Sequence, residues 1–465
     1  MERNSSAEAV LERAAQASGT RHIRSMRCRT GGDEFIFGQS ATPGGAWPRY
    51  SFEDMITCVD YETGAWTEEI TGPRIRAEMR GGGEPSIPRG ITYAREGCSW
   101  SQVGAKSYPA PWHAPNRLHQ VWITPQGVIM AAARNGAALR WRERGGASLP
   151  ELSFVADGRF SATAYLNEDY LVERVDSSVP VAYCGCLPFV TTYSDYRDFG
   201  PARFPQRILR SQGGFPVLAA QVKDVQWNVP VHVEVPPAVR EAEAGQRKSA
   251  SAIADGVWHI PGSHNCVAID MGDHIIVVEA PLTDSIANAV FEAAKRAIPA
   301  RPIRHVVNTH HHIDHAGGLR AAVTEGAAIL THALNFPLFE RYLSAPRVPG
   351  SQASAKESFR IDTVQDRLVL RHGSRSIEIY HVRGNPHADD LLMVYLPEER
   401  ILIEADAYSP PPPGAASLQQ PDAFSVNLLD NIERLGLNVE RIVPMHGPVV
   451  PMESLYTALG RRPSK

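Results

Sequence analysis

Four of the 17 histidines in this chain stand within six positions, in the stretch VVNTHHHIDHAGG that spans residues 306–318. A neutral imidazole offers a nitrogen lone pair near pH 7, which makes histidine the commonest protein ligand for metal ions. An aspartate stands directly before the last of them. This spacing predicts a metal-binding segment, and the residues concerned are His310, His311, His312, Asp314 and His315.

The cluster lies on a predicted strand-to-helix turn. Residues 303–308 (IRHVVN) have the β-branched apolar core of a buried strand, and a Gly-Gly pair leads into LRAAV, which begins a helix. Sheets in α/β proteins keep their sites beyond the carboxyl ends of the strands. We therefore expect further ligands at the ends of other strands.

Three such residues follow later in the chain. His387 comes after the predicted strand SIEIYHV, Asp406 ends RILIEAD, and His446 follows IVPM. A histidine or aspartate at a strand end is often only a solvated or capping group. Their joint placement after successive strands, downstream of the histidine cluster, favours one common metal site.

The elements that position these residues divide the chain into two parts. Residues 1–235 contain a leading amphipathic helix and then short alternating strands, which predict a mainly antiparallel β domain. Residues 236–252 have the composition of a linker. From residue 253 to 465 strands alternate with helices, including one that Asp284 is expected to cap and one over 427–436, so an α/β domain is predicted.

Composition excludes several classes of function. With 465 residues, 43% of them hydrophobic and 21% charged, the chain is expected to form a globular protein of more than one domain. A net charge of -4 does not indicate a nucleic-acid partner. No apolar run is long enough to predict a membrane span. The six scattered cysteines do not form a disulfide framework. The start of the chain is unlike a secretory leader, so a cytoplasmic location is expected, or a periplasmic one if a leader has been removed.

The combined pattern resembles the ligand set of the metallo-β-lactamase-fold hydrolases. That resemblance implies a four-layer αββα fold for residues 253–465 and two zinc ions, with iron or manganese possible instead. By the same resemblance, Asp406 would bridge the two ions and His311 would bind neither. The implied ligands are His310, His312 and His387 for the first ion, and Asp314, His315 and His446 for the second.

The resemblance also implies an activity: hydrolysis of an ester, lactone, thioester or amide of a small molecule by a hydroxide held between the metals. Flavin-coupled diiron members carry glutamate where this chain has His312, and β-lactamases carry cysteine where it has Asp406. The alternatives are a phosphodiesterase or nuclease of the same fold, a sulfur-oxidising enzyme with one iron, and a non-catalytic binding protein. In one departure, Glu279 replaces the family's usual aspartate, and its longer side chain has to reach the ligand loop.

Two further residues are candidates for catalysis together with Asp314, which would relay a proton to the leaving group. Tyr408, before a run of prolines, would donate a hydrogen bond to the developing oxyanion. His264 would orient the part of the substrate that carries the leaving group. The alternatives are a core tyrosine and a histidine that caps a turn. The N-terminal half resembles, more loosely, the half-barrel of lipoprotein carriers through residues 191–209, but a β domain that shields the site or forms a homodimer is favoured.

Overall fold

The fold is described from a computed structural model, which covers residues 5–77, 80–82, 90–156, 160–242, 247–345, 358–373, 375–410 and 421–462. The N-terminal half is built on one 13-stranded sheet with the order β6-β5-β4-β3-β2-β1-β13-β12-β11-β10-β9-β8-β7. Every paired strand in it is antiparallel to its neighbour, and β13 returns beside β1. The predicted β-rich domain is confirmed. Its strands are β1 Ser25–Phe35, β2 Arg49–Asp60, β3 Ala65–Arg76, β4 Ile91–Arg95, β5 Cys98–Val103, β6 Lys106–Pro109, β7 Ala138–Arg144, β8 Ala147–Ala156, β9 Phe160–Leu166, β10 Val172–Val181, β11 Gly185–Phe199, β12 Ala202–Gln212 and β13 Phe215–Trp227.

Three helices, α1 (Ala7–Ser18), α2 (Ala114–Trp122) and α3 (Pro125–Arg134), pack on one face of this sheet. The leading helix α1 begins where the Ser6 side chain accepts a hydrogen bond from the Ala9 amide, and it ends at Gly19 in the left-handed conformation. Its buried Val10 and Ala14 lie four residues apart, so they share the face that meets the sheet.

A short helix, α4 (Pro237–Ala242), falls within the stretch expected to be a linker. Its Val239 packs with Trp100 and Val235 of the N-terminal half. The following strand β14 begins at Ser251 and pairs with β15, so the second sheet starts just before residue 253.

The C-terminal half contains two mixed sheets. The first has the order β14-β15-β16-β17-β18-β19-β20 and the second β21-β22-β23-β24-β25-β26. The strands are β14 Ser251–Ala254, β15 Val257–Ile260, β16 Cys266–Asp270, β17 Ile275–Val278, β18 Ile303–Val307, β19 Ala328–His332, β20 Ile361–Val364, β21 Arg367–His372, β22 Arg375–His381, β23 Leu392–Leu396, β24 Ile401–Glu404, β25 Arg441–Pro444 and β26 Val450–Pro451. The helices are α5 Asp284–Ala297, α6 Ile313–Ala316, α7 Leu319–Glu325, α8 Phe336–Leu343, α9 Ala423–Leu435 and α10 Met452–Ala458.

These elements form four layers, as expected. Val278 and Val307 of the first sheet and Ile379 and Ile403 of the second belong to one buried cluster, so the sheets pack face to face. Helices α5, α7 and α8 cover the outer face of the first sheet, and α9 and α10 cover that of the second. The inner faces of the two sheets are buried against each other, and amphipathic helices bury the outer face of each sheet.

The expected cap of α5 is wrong in detail. Thr283, not Asp284, is the N-cap, and its hydroxyl accepts from the Ile286 amide. Asp284 instead accepts a hydrogen bond from the amide of Ala321 in α7. A tertiary contact thus competes for a side chain that local spacing assigned to the cap.

The described part of the chain contains no helix long and apolar enough to cross a membrane.

Candidate metal centre

The residues predicted to bind metal meet beyond the carboxyl ends of strands from both C-terminal sheets. His310 and His312 follow β18, Asp314 and His315 lie in α6, and Asp406 follows β24. His387 stands in the turn between β22 and β23, and His446 follows β25. Residues more than one hundred positions apart are therefore neighbours because the strands that carry them end at one edge of the sandwich.

They form two groups of potential ligand atoms, and within each group all the atoms lie within 4.8 Å of one another. The first group is fully or nearly buried, whereas the second includes partly exposed side chains. The first consists of His310, His312, His387 and Asp406, and the second of His264, Asp314, His315 and His446.

Asp406 stands between the two groups. Its Oδ2 lies 3.0 Å from His387 Nε2 in the first group and 3.2 Å from His315 Nε2 in the second. Its Oδ1 lies 3.0 Å from His446 Nε2. The backbone of Asp406 is left-handed, with φ of 60°, a conformation that aspartate and asparagine tolerate better than most residues. The single carboxylate thus contacts imidazoles of both groups.

The chemistry of these atoms fits a metal. Several of them are buried and make no hydrogen bond of acceptable geometry among the described residues, although His315 Nε2 and Asp406 Oδ1 lie close to other atoms of the site: His312 Nδ1, His315 Nε2 and Asp406 Oδ1. Unpaired buried polar atoms cost free energy and are rare in folded proteins. Several such atoms at one place, all from imidazole or carboxylate, suit a bound metal ion.

The electrostatics of the site keep two of the histidines neutral. Burial, together with the neighbouring His315 and His387, holds the pKa of His310 and His312 well below 6.5. Burial acts in the same direction on His315, but Asp406 and the other carboxylates outweigh it and raise the pKa of His315 well above 6.5. The protein without metal therefore concentrates negative charge around His315, which a cation there would offset.

Glu279 reaches the ligand loop despite its longer side chain. It is fully buried, its Oε1 accepts from the Thr309 amide at 2.9 Å, and its Oε2 accepts from His315 Nδ1 at 3.1 Å. Glu279 therefore holds a proton on Nδ1 and turns Nε2 of His315 towards Asp406, so that Nε2 is the nitrogen available to a metal ion. The contact left open by the sequence is present.

His311 points away from both groups, as expected. Its backbone amide and its Nδ1 both donate to Asp390, at 2.8 and 2.7 Å. Burial raises the pKa of Asp390, but His311 outweighs it and the pKa falls to about 2. Asp390 was missed by the sequence analysis, although it stands three residues after His387 in the same turn.

One side of the site is open. The side chains of Asp314 and His446 are 26% and 30% exposed, whereas those of His310 and His315 are fully buried. A substrate can therefore reach the second group directly, and the first group lies deeper.

The other two candidate catalytic residues occupy different environments. His264 Nε2 lies 3.2 Å from Asp314 Oδ2, and its ring is 4.4 Å from that of His446, which places it within the second group. Tyr408 is 4% exposed and packs with Tyr380, Leu428 and neighbours behind the second sheet. This position favours a packing role, and its role as a hydrogen-bond donor stays a prediction. The proline run begins at Pro410, and residues 411–414 lie outside the described chain.

Sequence analysis also missed two residues of the N-terminal half. Gln39 Nε2 donates to Asp314 Oδ1 at 2.7 Å, and the Ser40 carbonyl accepts from His312 Nε2 at 2.8 Å. Both lie in the connection between β1 and β2. No spacing or motif within that connection could have found them.

A third group consists of Asp273 and His274 in the β16–β17 turn and His372 at the end of β21. Two of its members are exposed, and Arg304 pairs with Asp273 at 3.1 Å. A neighbouring arginine competes with a cation, so this group is a weaker candidate than the other two.

Residues 259–446 match the family model described as "Metallo-beta-lactamase superfamily". The chain is 26% identical over 192 residues to the 2,4-dinitroanisole O-demethylase subunit alpha of Nocardioides sp., a match over 41% of this chain and 55% of that protein. It is 26% identical over 148 residues to the alkyl/aryl-sulfatase BDS1 of Saccharomyces cerevisiae, over 30% of this chain and 22% of that protein. The chain thus matches about half of the first relative and about a fifth of the second.

A solved metallo-beta-lactamase from Pontibacter korlensis superposes with a TM-score of 0.36 and 18% identity, over 46% of this chain and 97% of that one.

Proposed function

Because residues 259–446 match the model of the metallo-beta-lactamase superfamily, we propose that the protein is a metal-dependent hydrolase with two metal ions, most simply zinc. The observation that carries this proposal is the position of Asp406, whose carboxylate oxygens lie 3.0 Å from His387 of one group and 3.0 Å from His446 of the other. A carboxylate placed between two sets of imidazoles suits a pair of cations that it would bridge. The catalytic domain is proposed to span residues 253–465.

The chain's own residues would divide the remaining work. Divalent ions bound here would lower the pKa of water to about 7 and polarise the substrate. Asp314 is the more exposed of the two ligand carboxylates, so it is placed to accept a proton and pass it to the leaving group. His264, whose Nε2 lies 3.2 Å from Asp314 Oδ2, would orient the part of the substrate that carries the leaving group.

The proposed substrate is a small molecule with an ester, lactone, thioester or amide bond. The two relatives widen the range to be tested, since one is named for O-demethylation of 2,4-dinitroanisole and the other as an alkyl/aryl-sulfatase. Aryl methyl ethers and sulfate esters therefore join the candidates. All of these reactions displace an oxygen, sulfur or nitrogen leaving group by water.

Elemental analysis of the full chain, purified without chelator, tests the metal content. Two ions per chain are expected, and Asp273→Asn in the exposed third group should leave that number unchanged. Fewer than one ion per chain would contradict the proposal.

A substrate screen tests the reaction. The zinc-loaded protein is assayed on aryl esters, lactones, thioesters, amides, aryl sulfates and 2,4-dinitroanisole, with a bis-aryl phosphate for the phosphodiesterase alternative. Hydrolysis that disappears on metal removal and returns on readdition supports the proposal. An iron-loaded protein that instead consumes oxygen with a thiol substrate would support the sulfur-oxidising alternative.

A further inference from the structure

The connection between β1 and β2, residues 36–48, leaves the N-terminal sheet and lies against the metal centre. Phe37 packs against the buried cluster of α5, α7 and α8 in the C-terminal half, and its ring lies 4.7 Å from that of Trp47 at the other end of the connection. The Gly38 carbonyl then accepts from the Ile313 amide at 3.2 Å, and the Ala41 carbonyl accepts from the Asp389 amide at 2.8 Å. The connection thus contacts both ligand turns, the one at 310–315 and the one at 385–390.

Within this connection, consecutive residues contact one ligand of each group. Gln39 Nε2 donates to Asp314 Oδ1 at 2.7 Å, while Asp314 Oδ2 faces His264. The Ser40 carbonyl accepts from His312 Nε2 at 2.8 Å. A proton held on Nε2 leaves the Nδ1 of His312 with its lone pair free, and that Nδ1 is the buried atom without a partner among the described residues.

A second N-terminal segment, residues 80–82, holds Gln39 in place. The Gly82 amide donates to the Gln39 carbonyl at 2.9 Å, and the Gly81 amide donates to the Pro386 carbonyl, next to His387, at 2.9 Å. A Cβ on Gly82 would lie 1.9 Å from Gln39 Oε1. Only glycine therefore lets this segment cover the Gln39 amide.

We propose that residues 38–40 are positioning residues of the metal centre, Gln39 for Asp314 in the second group and the Ser40 carbonyl for His312 in the first. Outer partners of metal ligands set the orientation of a carboxylate and the tautomer of an imidazole, and their loss typically weakens metal binding about 10–100-fold. The matched superfamily region, residues 259–446, contains neither partner. The N-terminal half would then be part of the metal centre rather than only its shield. This inference rests on the proposed metal centre of the protein.

The test measures the two metal dissociation constants of the full chain by competition with a chelator. Gln39→Ala removes the donor, and Gln39→Asn keeps an amide that is one methylene too short, so the test survives if either variant fails to fold. Gln102, whose side-chain amide donates to the Gly104 carbonyl just after β5, provides the matched control as Gln102→Ala. His387→Ala and His446→Ala, each removing a ligand of one group, assign the two constants.

Both Gln39 variants should weaken the ion of the second group about 10–100-fold and leave the ion of the first group unchanged. Gly38→Ala should weaken both ions, because its Cβ would lie 2.7 Å from Ile313 Cγ2, between His312 and Asp314, and would shift Gln39 and the Ser40 carbonyl together. In the Gln39 variants, wild-type constants or an equal loss at both sites would overturn the inference, since a merely structural connection cannot distinguish the two ions.

The metal dissociation constants, together with the substrate screen, separate this inference from the proposed function. A wild-type protein that binds two ions but hydrolyses none of the substrates refutes the function and leaves the positioning roles intact. A hydrolytic wild type whose Gln39 variants retain both ions as tightly refutes the positioning roles alone.

Discussion

The replacement of Glu279 by glutamine tests how the second group is held together. Glu279 is completely buried and accepts from two donors, the Thr309 amide at 2.9 Å and His315 Nδ1 at 3.1 Å. Glutamine has the same shape but only one acceptor oxygen. Its amide nitrogen must therefore face one of the two donors, whichever way the side chain is turned.

Each orientation has a cost that follows from these contacts. If the nitrogen faces Thr309, a buried amide loses its acceptor, which costs about 1–3 kcal/mol of folding free energy. If it faces His315, the ring must accept at Nδ1 and carry its proton on Nε2, the atom 3.2 Å from Asp406 Oδ2. That tautomer cannot bind a metal through Nε2, and a loss of about 10–100-fold in affinity corresponds to about 1.4–2.8 kcal/mol.

Two measurements on Glu279→Gln check this reasoning: chelator competition for the two ions, and denaturant unfolding of the metal-free protein. We expect either a loss of affinity at the second group or a less stable metal-free protein, of the sizes above. Glu325→Gln is the control, because Glu325 also accepts from a donor, Lys295, but at the surface, where water replaces the lost partner. A Glu279→Gln protein that matches wild type in both measurements would refute the account of His315.

Three other substitutions have defined outcomes. Asp406→Asn should keep the fold, since asparagine tolerates a φ of 60°. It should lose metal and hydrolysis together, because a neutral amide cannot balance two cations. Unchanged metal content with full activity would show that Asp406 does not bridge two ions. Tyr408→Phe is expected to lower the turnover number, by up to about 10²-fold, with metal content and melting temperature unchanged, whereas a lower melting temperature with unchanged turnover would assign the ring to the core. Burial, and secondarily Arg210, lowers the pKa of His119 to about 3. Between pH 6.5 and pH 3 the unfolded chain therefore binds a proton at His119 that the folded chain excludes, so the folded protein loses stability as the pH falls. His119→Phe should lessen the loss of unfolding free energy between pH 7.5 and pH 5 by about 2 kcal/mol, measured by denaturant unfolding. An identical loss in both proteins would refute this explanation.

Local pattern predicted most elements of the C-terminal half because each is defined by its own period. Helix α9 shows this: Leu428, Leu429 and Ile432 repeat with helical spacing and are buried together against the second sheet. The same reasoning failed for the cap of α5, where Thr283 and Asp284 are both good capping residues. Only the position of α7 decides between them, since its Ala321 amide binds Asp284.

The residues of the two groups could be predicted to lie together, because metal binding requires particular residue types, and those types stand at strand ends that one sheet edge brings together. Local spacing identified His310, His312 and His315, and the pattern of later strand ends identified His387, Asp406 and His446. Their outer partners were not predictable in the same way. Glutamine and serine are common in loops, so neither residue type marks Gln39 or Ser40 as special.

The sequence by itself therefore determined the two-part organisation, the metal-binding residue types and their placement at strand ends, since periodicity and side-chain chemistry are local properties. The tertiary structure alone decided that Asp406 lies between the two groups and that Gln39 and Ser40 of the β1–β2 connection contact Asp314 and His312. Those contacts join residues more than 270 positions apart. Such a pairing depends on how the two halves pack, because no hydrogen bond between distant residues is encoded in the spacing of either one.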